Sequence, residues 1–297
     1  MTSTARAVTA VQVPAQALAT ALRHLRYEVL PLAGTEDLVV RHVPRDLPVT
    51  VTVSPRRGLE PTIALTEALC RRGFRAVPHL AARLIVDDAH LADLLRRLDQ
   101  AAVTDAFVVA GDVERPVGVF ADSLTLLRSM HRLRQSGAGH RLEQVGVAGY
   151  PEGHPLVSTG QLAEAVLAKQ AMATYVVSQM CFDAAVISAW VTRIRGQGVS
   201  LPVHIGIAGV VDRRKLLRVA GRIGLGPSAR FLRKHRHGLV RLLQPGGYRP
   251  DHLVRQLSAE MAQPERGIAG LHVYTLGDLA STEQWRGQAL DRLGEMR

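Results

Sequence analysis

Short apolar segments alternate with longer segments of helical periodicity along nearly the whole chain of 297 residues. Eight of the short segments have the length and the Val, Ile and Tyr content of buried strands. They begin near Tyr27, Pro48, Arg75, Asp105, Gln144, Tyr175, Pro202 and Gly270. Strands that are apolar on both faces and separated by helices pair in parallel, and eight such units fit a closed barrel. The sequence therefore predicts an α/β fold of the (β/α)8 TIM-barrel type.

The segments between the strands carry helix signals. We predict helices at 61–72, 88–100, 123–135, 160–173, 184–195 and 213–223, and an amphipathic helix from Ala15 onward. Pro61 suits a first helical turn, Asp183 can cap one helix, and Ser158 or Thr159 can cap another. Further helical material precedes the last strand. We expect a single barrel domain over 1–297 with extra helices before the last strand.

A doubly wound sheet that binds a dinucleotide is the competing architecture. Its glycine-rich turn should directly follow the first strand, whereas the candidate segment 224–229 follows a predicted helix. The sequence contains no GxxxxGK loop and no HExxH motif. These observations favour the barrel.

The chain is strongly basic, with 37 lysines and arginines, 26 acidic residues and a net charge of +11. The segment 213–241, which we call the basic segment, holds ten basic residues and no acidic one, so the rest of the chain is nearly neutral. Nucleic-acid-binding surfaces usually interleave aromatic residues, and Phe231 is the only aromatic residue there. We expect no nucleic-acid partner. The basic segment is either a solvated helix face or a site that attracts an anionic substrate or cofactor.

Charged residues such as Asp105 and Asp183 interrupt the apolar runs, so we expect no transmembrane helix. Two cysteines, Cys70 and Cys181, are too few for a disulfide framework or a four-ligand zinc site. We therefore expect a soluble cytoplasmic protein without a metal. The oligomeric state is left open.

Polar residues at the carboxyl ends of the strands are the candidate functional residues, because the chemistry of a barrel enzyme lies at that edge. Glu28 stands inside the apolar first strand, where a carboxylate is unfavourable unless it is paired or functional. Burial would raise its pKa toward the range of a general acid, and a salt bridge to an arginine is the structural alternative. The other candidates follow later strands: Ser54, His79, Asp112, Tyr150, His154, Gln179 and Tyr274.

Six segments in order resemble those of the methylenetetrahydrofolate reductase family. The segment 150–155, YPEGHP, resembles the family's YPExHP, and 27–31, YEVLP, resembles its FEFFPP. The further matches are VPHL at 77–80 with PHL, GD at 111–112 with the end of RGD, SQMCFD at 178–183 with TQxFFD, and HVYTL at 272–276 with HFYTLN. The family's fold is a (β/α)8 barrel, in agreement with the strand count.

The resemblance implies an oxidoreductase that reduces 5,10-methylenetetrahydrofolate to 5-methyltetrahydrofolate with hydride from NADH or NADPH, classically through FAD. It implies that Glu28 protonates N10 of the folate and that Asp112 stabilises the positive charge that develops. Gln179 and Tyr274 would bind the folate. The cofactor-binding positions would be Ser54, His79, Tyr150 and His154.

Two departures from the family pattern concern FAD. The arginine of RGD is Ala110, which removes a phosphate partner, and the family's AGA segment reads AMA at 171–173 after Gln170. We therefore expect that FAD is absent and that hydride passes directly from NADH to the folate. The alternatives are a catalytically inactive folate- or nucleotide-binding barrel and a lyase that uses Lys169 as a Schiff-base amine.

Overall fold

Eight parallel strands form one closed barrel in the computed structural model, which describes residues 3–153, 158–211 and 247–294. Each strand pairs with the next along the chain, and the eighth pairs with the first. The strands are β1 Arg26–Val29, β2 Val49–Val51, β3 Ala76–Ala81, β4 Asp105–Val109, β5 Gln144–Gly149, β6 Tyr175–Ser178, β7 Val203–Ala208 and β8 Ile268–Tyr274. The predicted strands and the predicted TIM barrel are confirmed.

Helices surround the barrel and connect its strands. In the described ranges they are α1 Ser3–Arg23, α2 Thr35–His42, α3 Glu60–Arg71, α4 Asp88–Gln100, α5 Ser123–Gln135, α6 Thr159–Lys169, α7 Ala184–Gly196, α8 Asp251–Met261 and α9 Leu279–Gly294. The predicted helix at 213–223 and the basic segment lie outside the described residues. Across the part of the chain that is described, no helix is both long and apolar enough to cross a membrane.

Four helices differ from the prediction. α6 ends at Lys169, four residues before the predicted end, and α9 was not predicted. α1 begins at Ser3 and continues through Pro14, so it is longer than the expected helix from Ala15. A proline removes one hydrogen bond of a helix, and here the helix continues on both sides of it. α2 was not predicted, because eight residues are too few to display a clear helical period.

Side-chain caps fix where several helices begin. The Asp183 carboxylate accepts hydrogen bonds from the backbone nitrogens of Ala185 and Val186, which confirms its predicted role. Ser158 forms a capping box with Gln161 at the start of α6. Such caps each contribute about 1 kcal/mol and fix the residue at which the preceding loop ends.

The buried apolar residues form three clusters, one of them around Met180, Phe182 and Ala208 at the carboxyl-terminal ends of β6 and β7. The other two lie on the two sides of the sheet. A large core lies between the sheet and the helices, and a small one inside the barrel contains Val77, Phe107, Tyr175 and Val177. Successive side chains of a strand point to opposite faces. The same alternation directs polar residues of β1 and β8 into the barrel, where they form the candidate site.

Candidate active site

Polar side chains of β1 and β8 face the barrel interior at matching levels. Glu28 is in register with Tyr274, and Arg26 is in register with His272. Neighbours in register on parallel strands lie on one face of the sheet. Tyr27, between the two β1 residues, faces outward and donates a hydrogen bond to Glu283 on α9. The interior is therefore polar at two levels, with Arg26 toward the amino-terminal end and Glu28 above it.

Glu28 lies between two histidines. Its Oε2 atom is 3.0 Å from Nε2 of His272 and 3.4 Å from Nε2 of His79. The ring of His79 packs on Phe107, with a centroid separation of 4.9 Å. The His272 side chain is fully buried, whereas 13% of the Glu28 side chain remains exposed. A carboxyl group with two imidazole partners and a small accessible surface can hold and transfer a proton.

The structure corrects two expectations about Glu28. Its partners are histidines, not an arginine. Burial raises the pKa of Glu28, but the charge of His79 and the hydrogen bond with His272 outweigh burial and lower the pKa to about 2. The predicted upward shift is therefore wrong, because it considered burial without the imidazoles. Burial also lowers the pKa of His272, which keeps that ring neutral at pH 7.

Beneath Glu28, three buried side chains fill the amino-terminal end of the barrel. Arg26 Nη2 donates to Asp105 Oδ2 at 2.5 Å and to the Tyr175 hydroxyl at 2.8 Å. The Tyr175 hydroxyl in turn donates to Asp105 Oδ1 at 2.8 Å. A side chain at Gly146 would place its Cβ 2.3 Å from the Tyr175 ring, so only glycine leaves room for that ring. We call Arg26, Asp105 and Tyr175 the floor triad.

Tyr274, the last residue of β8, is in register with Glu28, and Gln179 follows the carboxyl end of β6. The Tyr274 hydroxyl donates to the carbonyl oxygen of Ser178 at 3.3 Å, and its ring lies edge-on to His272 at 5.0 Å. Gln179 directly follows β6, and its Oε1 atom is buried without a hydrogen-bond partner among the described residues. A buried acceptor of this kind is suited to a ligand that donates a hydrogen bond.

Tyr150 and Asp112 connect Tyr274 with the protein surface. Burial raises the pKa of Tyr150, and the negative charge of Asp112 adds to the effect, which shows that the two side chains are close. Burial likewise raises the pKa of Tyr274, with smaller effects from Glu28 and Tyr150. Charge effects on the pKa values of Tyr150 and Tyr274 therefore connect the predicted residues Glu28, Tyr274, Tyr150 and Asp112, of which Asp112 is exposed.

Two predicted cofactor-binding residues are not joined to these four residues. Ser54 lies in a turn after β2, where its carbonyl oxygen accepts from the backbone nitrogens of Arg57 at 3.1 Å and Gly58 at 3.0 Å. Within the described ranges, no hydrogen bond or ion pair connects it to Glu28. His154 lies outside the described residues. The roles of both stay predictions.

The sequence reasoning missed His272 and the floor triad. His272 is two residues before Tyr274, so strand alternation alone places both on the same face. Thr50 was missed as well, although it is in register with Glu28 and its buried hydroxyl has no partner among the described residues. The same ranges contain no group of three or more His, Cys, Asp or Glu side chains that could hold a metal ion.

Ala110 lies where the family pattern has an arginine, at the end of β4. Its carbonyl oxygen accepts from the backbone nitrogen of Arg83 at 2.9 Å. The Arg83 guanidinium donates to the carbonyl oxygens of Ala121 at 2.8 Å and Val113 at 3.2 Å, and so binds the loop after β4 to the end of β3. The Ala110 methyl group cannot pair with a phosphate, and Arg83 is already engaged. These residues do not reproduce the family's arginine contact to FAD.

The segment 171–173 lies at the opposite end of the barrel. α6 ends at Lys169 and β6 begins at Tyr175, so the segment precedes the amino-terminal end of a strand. The Gln170 side chain bonds there to Gly198 and Ser200, which precede β7. The interpretation of this segment as a FAD contact is therefore wrong, because ligands bind at the other face. Lys169 also lies outside the barrel interior, which removes the basis for a Schiff-base lyase.

The acid stability of the barrel should depend on His204, whose ring lies edge-on to Tyr175. Burial lowers the pKa of His204 from 6.5 to about 3, with a smaller effect from the charge of Arg26. Below pH 6.5 the unfolded chain binds a proton that the folded chain excludes down to about pH 3, so stability falls across this window. The loss is about 1.4 kcal/mol per pH unit.

Between about pH 6.5 and about pH 5, we expect the free energy of unfolding of the wild type to fall by about 2 kcal/mol more than that of His204→Leu. Urea unfolding of both proteins at the two pH values measures the difference. Equal losses in the wild type and the variant would contradict a neutral buried His204.

Comparison with solved structures gives matches over nearly the whole chain at low sequence identity. A protein from Clostridium thermocellum, described as uncharacterized and as binding two copies of 5-methyl-5,6,7,8-tetrahydrofolic acid, is 12% identical with a TM-score of 0.57. The alignment covers 92% of this chain and 95% of that protein. Dihydropteroate synthase from Thermus thermophilus is 10% identical with a TM-score of 0.43, over 90% of this chain and 93% of the synthase.

Comparison with protein families gives a match of a different kind. The sequence model of methylenetetrahydrofolate reductase matches residues 38–229, which is more than half of the chain. The matched part contains the candidates from Ser54 to Gln179, whereas Glu28 and Tyr274 lie outside it. The barrel places Glu28 beside His79 of the matched part. The chain belongs to the methylenetetrahydrofolate reductase family.

Proposed function

We propose that the protein reduces 5,10-methylenetetrahydrofolate to 5-methyltetrahydrofolate with hydride from NADH and without FAD. The observation that carries the proposal is Glu28, a carboxyl group beside two imidazoles inside the barrel that keeps 13% of its side chain exposed. Family membership supports a folate substrate. The Clostridium thermocellum protein of similar fold is described as binding the product of this reaction.

Proton transfer begins the proposed reaction. N10 of the folate accepts a proton, the bond between N10 and the methylene carbon breaks, and a cationic iminium remains at N5. Glu28 and its histidines supply this proton from the barrel interior. A positioned general acid of this kind contributes a factor of roughly 10² to 10⁴ to the rate.

The cationic intermediate then accepts hydride. Asp112 would stabilise its positive charge, and the unpartnered Gln179 Oε1 would accept a hydrogen bond from the pterin edge. Hydride leaves the nicotinamide of NADH for the methylene carbon and produces the methyl group and NAD⁺. The overall reaction consumes one proton. The protein need only hold the donor and acceptor carbons in near-attack geometry.

The loss of the arginine at Ala110 supports a route without FAD. An arginine pairs with phosphate through two parallel hydrogen bonds, and a methyl group cannot replace them. With the segment 171–173 placed at the other end of the barrel, this single substitution is the support that remains for flavin independence.

An anaerobic assay of NADH oxidation with 5,10-methylenetetrahydrofolate tests the proposal. We expect turnover by the purified protein without added flavin, no stoichiometric flavin absorption in the visible blue, and no increase in rate when FAD is added. A rate that requires FAD would contradict the direct route. Folate binding without oxidation of either NADH or NADPH would identify the inactive folate-binding barrel instead.

A further inference from the structure

Ser178, the last residue of β6, bonds to β7 through its side chain. The pairing of the two strands runs as far as Val177, which is in register with His204. Just beyond, the backbone nitrogen of Gly206 donates to the Ser178 hydroxyl at 2.8 Å. In a regular parallel ladder a backbone carbonyl oxygen accepts such a bond. The fully buried Ser178 hydroxyl therefore takes the place of a backbone acceptor for β7.

The carbonyl group of Ser178 has a different partner. It accepts a hydrogen bond of 3.3 Å from the hydroxyl of Tyr274, which lies on β8, across β7. A Cβ atom at Gly206 would lie 2.1 Å from this carbonyl oxygen and 2.9 Å from the Tyr274 ring. Residue 206 must therefore be glycine for the backbone to approach so closely. The carbonyl occupies space that any other residue of β7 would fill, and β6 leaves the regular ladder here.

The backbone of Gln179 is held on both sides where β6 leaves the ladder. The Ser178 hydroxyl donates to the carbonyl oxygen of Gln179 at 3.1 Å. The Gln179 backbone nitrogen donates to the carbonyl oxygen of Gly149 on β5 at 2.7 Å. The Gln179 Oε1 atom, in contrast, is buried without a hydrogen-bond partner among the described residues. The direction of this side chain therefore depends on the hydrogen bonds that hold its backbone.

We propose that Ser178 is a positioning residue that orients the Gln179 amide toward the pterin edge of the folate, in a geometry that Gly206 makes possible. The inference rests on the proposed function of the same site, in which Gln179 binds the folate. The Ser178 hydroxyl donates its one hydrogen to Gln179 and accepts from Gly206. It is fully buried, so it acts on the folate through Gln179 and not by contact. Without it, two buried backbone groups lose their partners and the segment relaxes.

A double-mutant cycle on folate binding tests whether Ser178 acts through Gln179. Calorimetric titration with 5-methyltetrahydrofolate, without a dinucleotide, measures Kd for the wild type, Ser178→Ala, Gln179→Ala and the double variant. We expect each single variant to raise Kd about tenfold, the equivalent of one lost hydrogen bond. The double variant should lie within about twofold of Gln179→Ala, because Ser178 then has no amide to position. Independent effects would multiply to about a hundredfold, and that result would overturn the inference.

Further variants separate the hydroxyl from the packing of the side chain. Ser178→Thr keeps the hydroxyl and should bind the folate within about threefold of the wild type, whereas a loss as large as that of Ser178→Ala would overturn the inference. Ser129→Ala is the matched control, because Ser129 is also buried and accepts from Arg132 at 2.7 Å, but on α5 outside the barrel. Its Kd should equal that of the wild type. If Ser178→Ala does not fold, Ser178→Cys replaces it in the cycle, since a thiol accepts hydrogen bonds weakly.

Steady-state kinetics keep this inference distinct from the proposed reductase function. Ser178→Ala should raise KM for 5,10-methylenetetrahydrofolate about tenfold and leave kcat within about threefold, because the pterin contact is equal in the ground and transition states. A wild type that binds the folate without reducing it would contradict the reductase, and the binding cycle would still decide the inference. Additive losses in an active enzyme would overturn the inference alone. A wild type that binds no folate would overturn both.

Discussion

Glu28→Gln should lower kcat for folate-dependent NADH oxidation by about a thousandfold, with folate affinity retained. The amide has the shape of the carboxyl group, and its oxygen can still accept the hydrogen bond from His272. It cannot deliver a proton to N10, so the ring of the substrate stays closed. Steady-state rates under anaerobic conditions and calorimetric titration with the folate measure the two quantities separately.

Glu283→Gln is the matched control for this experiment. Glu283 is also a partly buried carboxylate, but it lies on α9 outside the barrel and pairs with Tyr27 and Arg286. We expect its kcat within about twofold of the wild type, because it is remote from the reacting atoms. A Glu28→Gln variant that keeps more than a tenth of the wild-type kcat would exclude Glu28 as the acid.

Arg26→Met should destabilise the fold by about 3–5 kcal/mol, because it leaves the Asp105 carboxylate buried without its cation. This is a large part of the free energy of unfolding of an ordinary domain, about 5–15 kcal/mol. Urea denaturation followed by circular dichroism at neutral pH measures the effect. The expected result is a clear shift of the midpoint to lower urea concentration.

Two further variants make this result specific to the buried charge. The double variant Arg26→Met/Asp105→Leu removes both charges and should recover at least half of the lost stability. Arg72→Met breaks the exposed pair with Glu36, 3.1 Å long, and should change stability by less than about 1 kcal/mol. A double variant no more stable than Arg26→Met would show that packing of the long side chain, and not the charge, determines the loss.

The barrel was predictable because its signals are local. The segments at Asp105, Gln144 and Tyr175 are short apolar runs bounded by polar residues, and the strands begin at these residues. α4, which starts after the capping residue Asp87, also has its predicted bounds. α2 was missed because its eight residues are stabilised by packing on neighbouring elements and not by a long helical period.

The residues of the candidate site were predictable only in part: Glu28, Gln179 and Tyr274 were singled out, whereas His272, Thr50 and the floor triad were missed. Alternation along β1 was enough to single out Glu28, whereas its contacts depend on the closed barrel, which pairs β8 with β1 and directs His79 of β3 into the same interior. The error about the segment 171–173 had a different origin. Its position between a helix and the following strand already indicates the amino-terminal face, so topology could have corrected the inference from resemblance.

The floor triad also constrains how two substrates can be processed. Arg26, Asp105 and Tyr175 fill the amino-terminal end of the barrel, so a folate that reaches Glu28 must enter from the carboxyl-terminal end. Direct hydride transfer requires the dinucleotide to be present beside that folate, in the same opening and at the same time. Under the proposed direct transfer, the kinetic mechanism would pass through a ternary complex, and the protein would not hold the electrons between two separate half-reactions.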